Sequence, residues 1–430
     1  MEEEKTILEY KEVLENIKNQ ESHLLIGNGF NYGLGISTSY YSIFQRMIEN
    51  NRGIYKDAMA IVEECSFDLE KFIGRLETDI DSRNSFLRKY IRNKVKFDFI
   101  QATHEIVKSE IKSIYAEKNE GIFLLLKNFN TYFSLNYDSC LYLLLLKYKT
   151  INSEGNNVIA LQTSLKFIEE DMNARQNNIY REIKDAREKG KLEIDFGDNS
   201  NSVKKSFNKL PKSHFVTEVK EFSKTYQKGW KTKDIDRVVK SIFEEEERNR
   251  FLNNVDDGSR QINLFGQDPE YVFNATSKTQ NLFFLHGAFH IYKDGHSIKK
   301  ITQQSDKALY VRLEEIINND EQEIVCVFQH EDKIEAINEN EYLLNCLNKL
   351  NDLTGNMVII GSSLADNDNH IFEQINNSAI DTVYISTLSK KKEKTLELAK
   401  VKFPAKEIYL FEAETISYEL PEDIKDELLE

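Results

Sequence analysis

His23-Leu24-Leu25-Ile26-Gly27-Asn28-Gly29-Phe30-Asn31-Tyr32-Gly33-Leu34-Gly35-Ile36 is an apolar run that passes straight into glycines. A short unbroken apolar run suits a strand buried on both faces, as in a parallel sheet. Glycines directly after it let the backbone turn sharply and approach a pyrophosphate, while a following helix aims its amides at the charge. The spacing is G-x-G-x-x-x-G rather than the dehydrogenase G-x-G-x-x-G, and no strand-end acid follows about 20 residues on. The same glycines would also serve a tight turn that closes a strand–helix unit.

Similar runs recur at Tyr132–Leu135, Leu282–Leu285, Ile324–Phe328, Met357–Ile360, Thr382–Ser386 and Ile408–Phe411. Helical spacing separates them, at Ile7 to Ile17, Ile43 to Ile48, Phe86 to Ile114, and through Tyr342, Leu343, Cys346, Leu347 and Leu350. The alternation predicts an α/β, Rossmann-like fold with a mostly parallel, doubly wound sheet. The middle of the chain is rich in Lys, Glu, Asn and Asp, with helices expected at Phe215–Trp230 and Val238–Phe251. It reads as a large, mainly helical insertion over 149–280, which leaves a discontinuous core of 1–148 and 281–430.

Composition narrows the partners. The 430 residues carry a formal charge of −15, so the chain gains little from counterion release along a phosphate backbone, and nucleic acid is not expected as a partner. No apolar run approaches the ~18 residues of a membrane span, and Met1-Glu2-Glu3-Glu4 is acidic where a signal peptide would be basic. Cys65, Cys140, Cys326 and Cys346 form no C-x-x-C pair and read as small buried residues of a reducing cytoplasm.

Chemistry-bearing residues stand at the ends of the expected strands. Leu135-Asn136-Tyr137-Asp138 puts an amide and an acid where open α/β sheets bind ligands, although Asp138 would equally cap the helix that follows. Leu285-His286-Gly287 offers an imidazole able to reach a cleft as base or hydrogen-bond partner. Gly361-Ser362-Ser363-Leu364-Ala365-Asp366-Asn367-Asp368-Asn369-His370 offers hydroxyls and amides to phosphate or ribose, with Asp366 or Asp368 as helix cap. His286, His290, His296 and His330 share one half of the chain without a matching carboxylate set, so no metal is expected.

These pieces occur in the order found in sirtuins. The sirtuin pattern G-A-G-x-S-x-x-x-G-I-P resembles Gly27 to Ser37, with Asn28 for Ala, Asn31 for Ser and Ser37 for Pro. Q-N-x-D resembles Leu135 to Asp138 without its Gln, H-G resembles His286-Gly287, and G-T-S-L resembles Gly361 to Leu364. Ser386 ends the next strand, where sirtuins carry Asn. The layout is most similar to a bacterial family of sirtuin-like proteins that shares G-N-G-F, N-Y-D, L-H-G and G-x-S-L-x-x-x-D-x-H-I. That family also has a segment resembling Lys333-Ile334 followed by Asn340-Glu341-Tyr342-Leu343. Abortive-infection proteins with N-G-F-D and I-H-G motifs are similar but more distant.

The resemblance covers about half of the chain. The four-cysteine zinc module of deacylase sirtuins is missing, and zinc-free bacterial relatives include phage-defence effectors that hydrolyse NAD. What it implies is therefore a cytoplasmic, metal-independent NAD glycohydrolase with an anti-phage, abortive-infection role. Asn136 would orient water or a ribose hydroxyl, with Asp138 in support, and His286 would be base or ribose-hydroxyl partner. Gly27, Gly29 and the helix after Gly35 would hold the pyrophosphate, with Asn28, Phe30, Asn31 and Gly35 also at the dinucleotide. Gly361, Ser362, Ser363, Asp366, Asp368, His370 and Ser386 would hold the rest of the dinucleotide. A homo-oligomer or a defence-system partner protein is expected, and oligomer contacts or the insertion over 150–280 would restrain the activity. A nucleotide sensor without turnover, an ADP-ribosyltransferase, and a metal-dependent nuclease using Asp366, Asp368 and His370 stand as alternatives.

Overall fold

The apolar run at the start of the core forms strand β1 (Ser22–Ile26), all five residues of which are buried. That burial follows from parallel neighbours on both sides, β2 (Thr131–Ser134) and β11 (Thr354–Ile360). The computed structural model describes residues 7–418 except 52, 79, 118–121, 123–124, 149–173, 189–191, 195–202, 206–211, 226, 263–269, 275–276, 302–308 and 328–332.

The remaining strands are β3 (Leu192–Ile194), β4 (Val203–Lys205), β5 (Ser259–Ile262), β6 (Glu270–Phe273), β7 (Leu282–Phe284), β8 (Gly287–Asp294), β9 (Ser297–Lys300), β10 (Gln322–Cys326), β12 (Ala379–Thr387) and β13 (Glu407–Glu412). Of the thirteen strands among the described residues, six make an all-parallel sheet in the order β13-β12-β11-β1-β2-β7, flanked by helices. Counted along the chain within this sheet, that is 6-5-4-1-2-3, the Rossmann order, whose direction reverses between β1 and β11.

Local sequence explains the flanking helices. Glu341–Lys349 buries Tyr342, Leu343, Cys346 and Leu347, and the Asn340 side chain caps it by accepting from the Tyr342 and Leu343 amides. Tyr40–Asn50 is capped by Ser39 and buries Ile43, Phe44 and Met47. Ser85–Glu117 covers the long periodic run read from Phe86 to Ile114.

A second sheet, β10-β8-β9-β6-β5, is antiparallel throughout. The run Ile324–Phe328 contributes here, through β10, and not to the parallel sheet; Phe328 itself lies outside the described residues. The reason is pairing: β10 is an edge strand with one neighbour, and only Val325 among its five residues is buried. Strand β8 leaves the parallel sheet two residues after β7, so Leu285-His286 is the corner between the sheets. Gly287 makes that corner possible: its φ is +77°, and a Cβ there would lie 1.9 Å from the Val325 carbonyl oxygen.

The chain divides into two compact units, Met1–Leu144 with Asp256–Glu430, and Leu145–Val255. The boundary differs from the expected 149–280, because 256–280 contributes β5 and β6 to the antiparallel sheet of the first unit. The described part of the second unit has helices Ala174–Glu188, Lys212–Thr225 and Thr232–Asn254 and the antiparallel hairpin β3-β4. Its helices bury a shared cluster that includes Ile183, Phe215, Val219, Phe222 and Val238. Among the described residues no helix is long and apolar enough to cross a membrane.

Candidate functional site

Loops after all six parallel strands converge on one cleft of about 1070 Å³. Asn28 enters it after β1, Asn136 after β2, His286 after β7, Ser362 and Asp368 after β11, Leu388 after β12, and Glu414 after β13. A crevice outside the carboxyl ends of the strands, across the point where strand order reverses, is where open α/β sheets take ligands.

The glycines of the first loop act on the neighbouring turn. Gly27 N–H donates to the Ile360 carbonyl and Gly29 N–H to the Gly361 carbonyl, each at 2.9 Å. A Cβ on Gly29 would stand 2.6 Å from Gly361 Cα, and one on Gly361, at φ +73°, would stand 2.2 Å from the Phe30 nitrogen. The close approach these glycines permit is therefore loop against loop. The amides of Gly29 and Phe30, both expected at the dinucleotide, already have carbonyl acceptors. Nor does a helix begin after Gly35: the helix is Asn28–Gly33 itself, and the next starts at Tyr40. The cause is Gly27, whose extended backbone places the helix start inside the glycine run.

The two asparagines that depart from the sirtuin pattern belong to one hydrogen-bond network, which runs from exposed Asn28 to buried Asn31. Asn28 and Thr38 exchange hydrogen bonds, Nδ2 to the Thr38 carbonyl at 3.2 Å and Thr38 Oγ1 to Oδ1 at 2.5 Å. Asn31 Nδ2 donates to Thr38 Oγ1 at 3.0 Å and to Asp138 Oδ2 at 2.8 Å, while Asp138 Oδ1 accepts the Cys140 amide at 2.8 Å. Asp138 thus joins its helix-start role to a link with the glycine loop, and its hydrogen bonds go to Asn31 and Cys140 rather than to Asn136. Burial raises its carboxyl pKa against the pull of those two bonds.

Asn136 is pinned by its backbone and open at its side chain. Its amide N–H donates to Ser134 Oγ at 3.1 Å, and Ser134 Oγ donates back to the Asn136 carbonyl at 3.3 Å. The side-chain Nδ2 is buried with no hydrogen-bond partner among the described residues, and the residue lines the cleft. A buried donor left unmade costs about 1–3 kcal/mol, so Asn136 Nδ2 carries an unmet hydrogen-bonding capacity at the cleft wall.

His286 lies against the preceding residue of that loop, with Nδ1 3.3 Å from the Leu135 carbonyl oxygen. With Nδ1 donating there, the Nε2 lone pair is free to accept. Nε2 is 3.3 Å from His370 Nε2 and 3.6 Å from Asp368 Oδ1. Lys333 Nζ is 3.0 Å from that same Asp368 oxygen. Burial, then the Lys333 charge, lowers His286 to about 3, against the opposing pull of Asp368. Burial also lowers His370, to about 4. Both rings are neutral at physiological pH.

The other expected residues divide by position. Ser362 and Ser363 line the cleft, and Ser362 Oγ accepts the Leu364 amide at 3.2 Å. Ser386 lines it too, and its hydroxyl accepts the Gly361 amide at 3.0 Å, so it braces the turn. Phe30 is fully buried and packs edge-on against Tyr418, with ring centroids 6.1 Å apart. The Asp366 side chain is 90% exposed and pairs with Lys402, away from the cleft. Gly35, Asn31 and His370 stand behind the lining rather than in it. Sequence reasoning gave no role to Thr38, Tyr40, Tyr137 or Lys333, nor to Lys391, Lys394 and Glu414 at the far end, all of which line the cleft. Lys333 alone had a visible signal, its place in the Lys333-Ile334 segment.

Among the described residues no group of three or more His, Cys, Asp and Glu side chains is arranged to hold a metal ion. A family model described as a domain of unknown function, DUF4917, matches residues 203–417. That span includes His286, Lys333, Asp368 and His370, while the Gly27 loop and Asn136 precede it. No curated protein matches the chain.

Proposed function

We propose that this chain, which belongs to the DUF4917 family, is an NAD glycohydrolase that works in the cleft at the strand-order reversal. The observation that carries the reading is the unpartnered, buried Nδ2 of Asn136 next to the residue whose carbonyl holds His286. Water and NAD become nicotinamide, ADP-ribose and a proton. The nicotinamide–ribose bond breaks with its electron pair leaving on nicotinamide, so the leaving group needs no acid. What the step requires is a sheltered, positioned C1′ and a water held on the open face. Asn136 Nδ2 donates to the oxygen of that water or of a ribose hydroxyl. His286, neutral and with Nε2 able to accept, takes a hydrogen bond from a ribose hydroxyl. With a pKa near 3 it is a better acceptor than base in the unliganded cleft. The turn at Ser362 and Ser363 faces the phosphates and adenosine half.

The resemblance to zinc-free sirtuin-like proteins supports the same chemistry and extends it to NAD depletion in phage-infected bacteria, restrained by self-assembly or a partner protein. One observation favours a second reading, NAD sensing without turnover: His286 Nε2 already touches His370.

Chromatography of nicotinamide and ADP-ribose after incubation with NAD tests the proposal, with and without a chelator. Wild-type protein should release both products whether or not chelator is present. Asn136→Ala and His286→Ala should each lose about 10²-fold or more, the scale for a positioned acid–base group, with unchanged melting temperature. Full activity in both variants would refute the assignment. NAD binding by calorimetry without product would favour the sensor. Loss of activity with chelator would favour metal chemistry.

A further inference from the structure

Asp368 Oδ1 stands between two claimants. Lys333 Nζ is 3.0 Å from it and His286 Nε2 is 3.6 Å away, so one oxygen faces both. Lys333 is buried and lines the cleft, and among the described residues Asp368 is the partner it holds there. A buried ammonium with a single carboxylate is poorly satisfied, since it has three protons to donate. An anionic oxygen entering the cleft would be a further or a better acceptor.

We propose that Lys333 is a ligand-binding residue for an anionic phosphoryl group, and that in taking it Lys333 leaves Asp368 Oδ1 to His286. In the unliganded protein Lys333 holds Asp368, and His286 stays neutral with its Nε2 turned to His370. When a phosphate oxygen takes the lysine, the carboxylate faces His286 without competition and stabilises its protonated form. The ring becomes a base only with ligand present, and idle proton traffic in the empty cleft is avoided. The inference rests on the NAD reading for the identity of the ligand, but not for the exchange itself.

The groups facing His286 are few. Lys333 opposes protonation and Asp368 favours it; His370 opposes it from the helix Asn369–Asn377; the Leu135 carbonyl favours it from the loop after β2. The Tyr137 ring lies 6.1 Å away, and Tyr40 faces Asp368; burial raises both phenols, Tyr40 to about 12, so neither supplies charge.

The test is ring-carbon NMR of the full chain, with histidine labelled at Cε1 and His286 assigned through His286→Gln. The pH is lowered from about 8 to about 5, a range that brackets the ordinary histidine value, with and without inorganic pyrophosphate. Wild-type His286 should stay neutral throughout that range without pyrophosphate, and with it the midpoint should rise from about 3 into the range, by about two pH units or more, about a hundredfold in proton affinity. Lys333→Met should show the raised midpoint from the outset and no further response. Asp368→Asn should keep His286 neutral under both conditions, and Lys333→Arg should behave as wild type. No shift in the wild type, or an equal shift in Lys333→Met, would overturn the proposal. These titrations need no turnover, so absence of nicotinamide release would remove the NAD reading while the midpoints still decide the exchange.

Discussion

His286 and His290 lie on one short run of chain, and burial first of all lowers each to about 3, yet their surroundings differ completely. His286 stands at the corner between the sheets, with three polar neighbours and a face on the cleft. His290 stacks on Tyr142 at 4.6 Å between ring centroids and meets Phe284 edge-on at 5.0 Å, and among the described residues neither of its ring nitrogens has a partner. Near it Lys300 and Asp257 satisfy each other at 2.5 Å, with Lys300 also over the Tyr142 and Tyr271 rings. A depressed histidine pKa is therefore no mark of function in this molecule. Access to the cleft and a network that responds to charge are what separate the two.

The largest expected effect comes from the residue that sets the two histidines apart. Gly287→Ala places a Cβ on the Val325 carbonyl oxygen at a φ that alanine avoids, and should cost roughly 2–5 kcal/mol in denaturant unfolding. A cost below about 1 kcal/mol would mean that the corner relaxes freely and does not hold His286 in place. Next comes the direct contrast in activity. His286→Ala should lose about 10²-fold or more, while His290→Phe, which keeps an aromatic ring between Tyr142 and Phe284, should retain turnover. Equal losses would erase the distinction between the two sites.

A smaller effect separates the sites by pH. A histidine lowered from about 6.5 when unfolded to about 3 when folded binds its proton more weakly in the native state. Its contribution to stability is complete above about pH 6.5 and is lost as pH falls through that value toward the folded one, near 3. Urea unfolding between pH 6.5 and 4 should show His290→Phe less steeply destabilised by acid than wild type, by up to about 1.4 kcal/mol per pH unit for the one proton removed. Parallel curves would mean that His290 is protonated in the folded protein. The smallest expected change is Ser386→Ala, which removes the hydroxyl that accepts the Gly361 amide and should cost about 1 kcal/mol.

The strand runs were legible because burial on both faces demands consecutive apolar side chains, as at His23–Ile26 and Met357–Ile360. Ile324–Phe328 misled for the same reason: apolar content says strand, but not which sheet, and β10 pairs with β8 through backbone groups common to all residues. The glycine loop was legible as a tight turn. Its true neighbour was not, because Gly361 lies more than 300 residues away and only the pairing of β1 with β11 brings the loops together.

Periodicity, the glycine run and the polar residues at strand ends are local quantities, so the α/β class, the position of the cleft-forming loops and the candidates Asn136 and His286 followed from the chain alone. Charge state and partnership are not local. Lys333, Asp368 and His286 come from three separate segments, the helix Lys333–Asn338, the 3-10 turn Asp366–Asp368 and the corner after β7, and their 3.0 and 3.6 Å separations exist only once β7, β10 and β11 have packed. Coulomb energy falls with distance and rises with desolvation, and both are set by packing. The same fold makes one histidine of a closely spaced pair a cleft residue and buries the ring nitrogens of the other among aromatic rings.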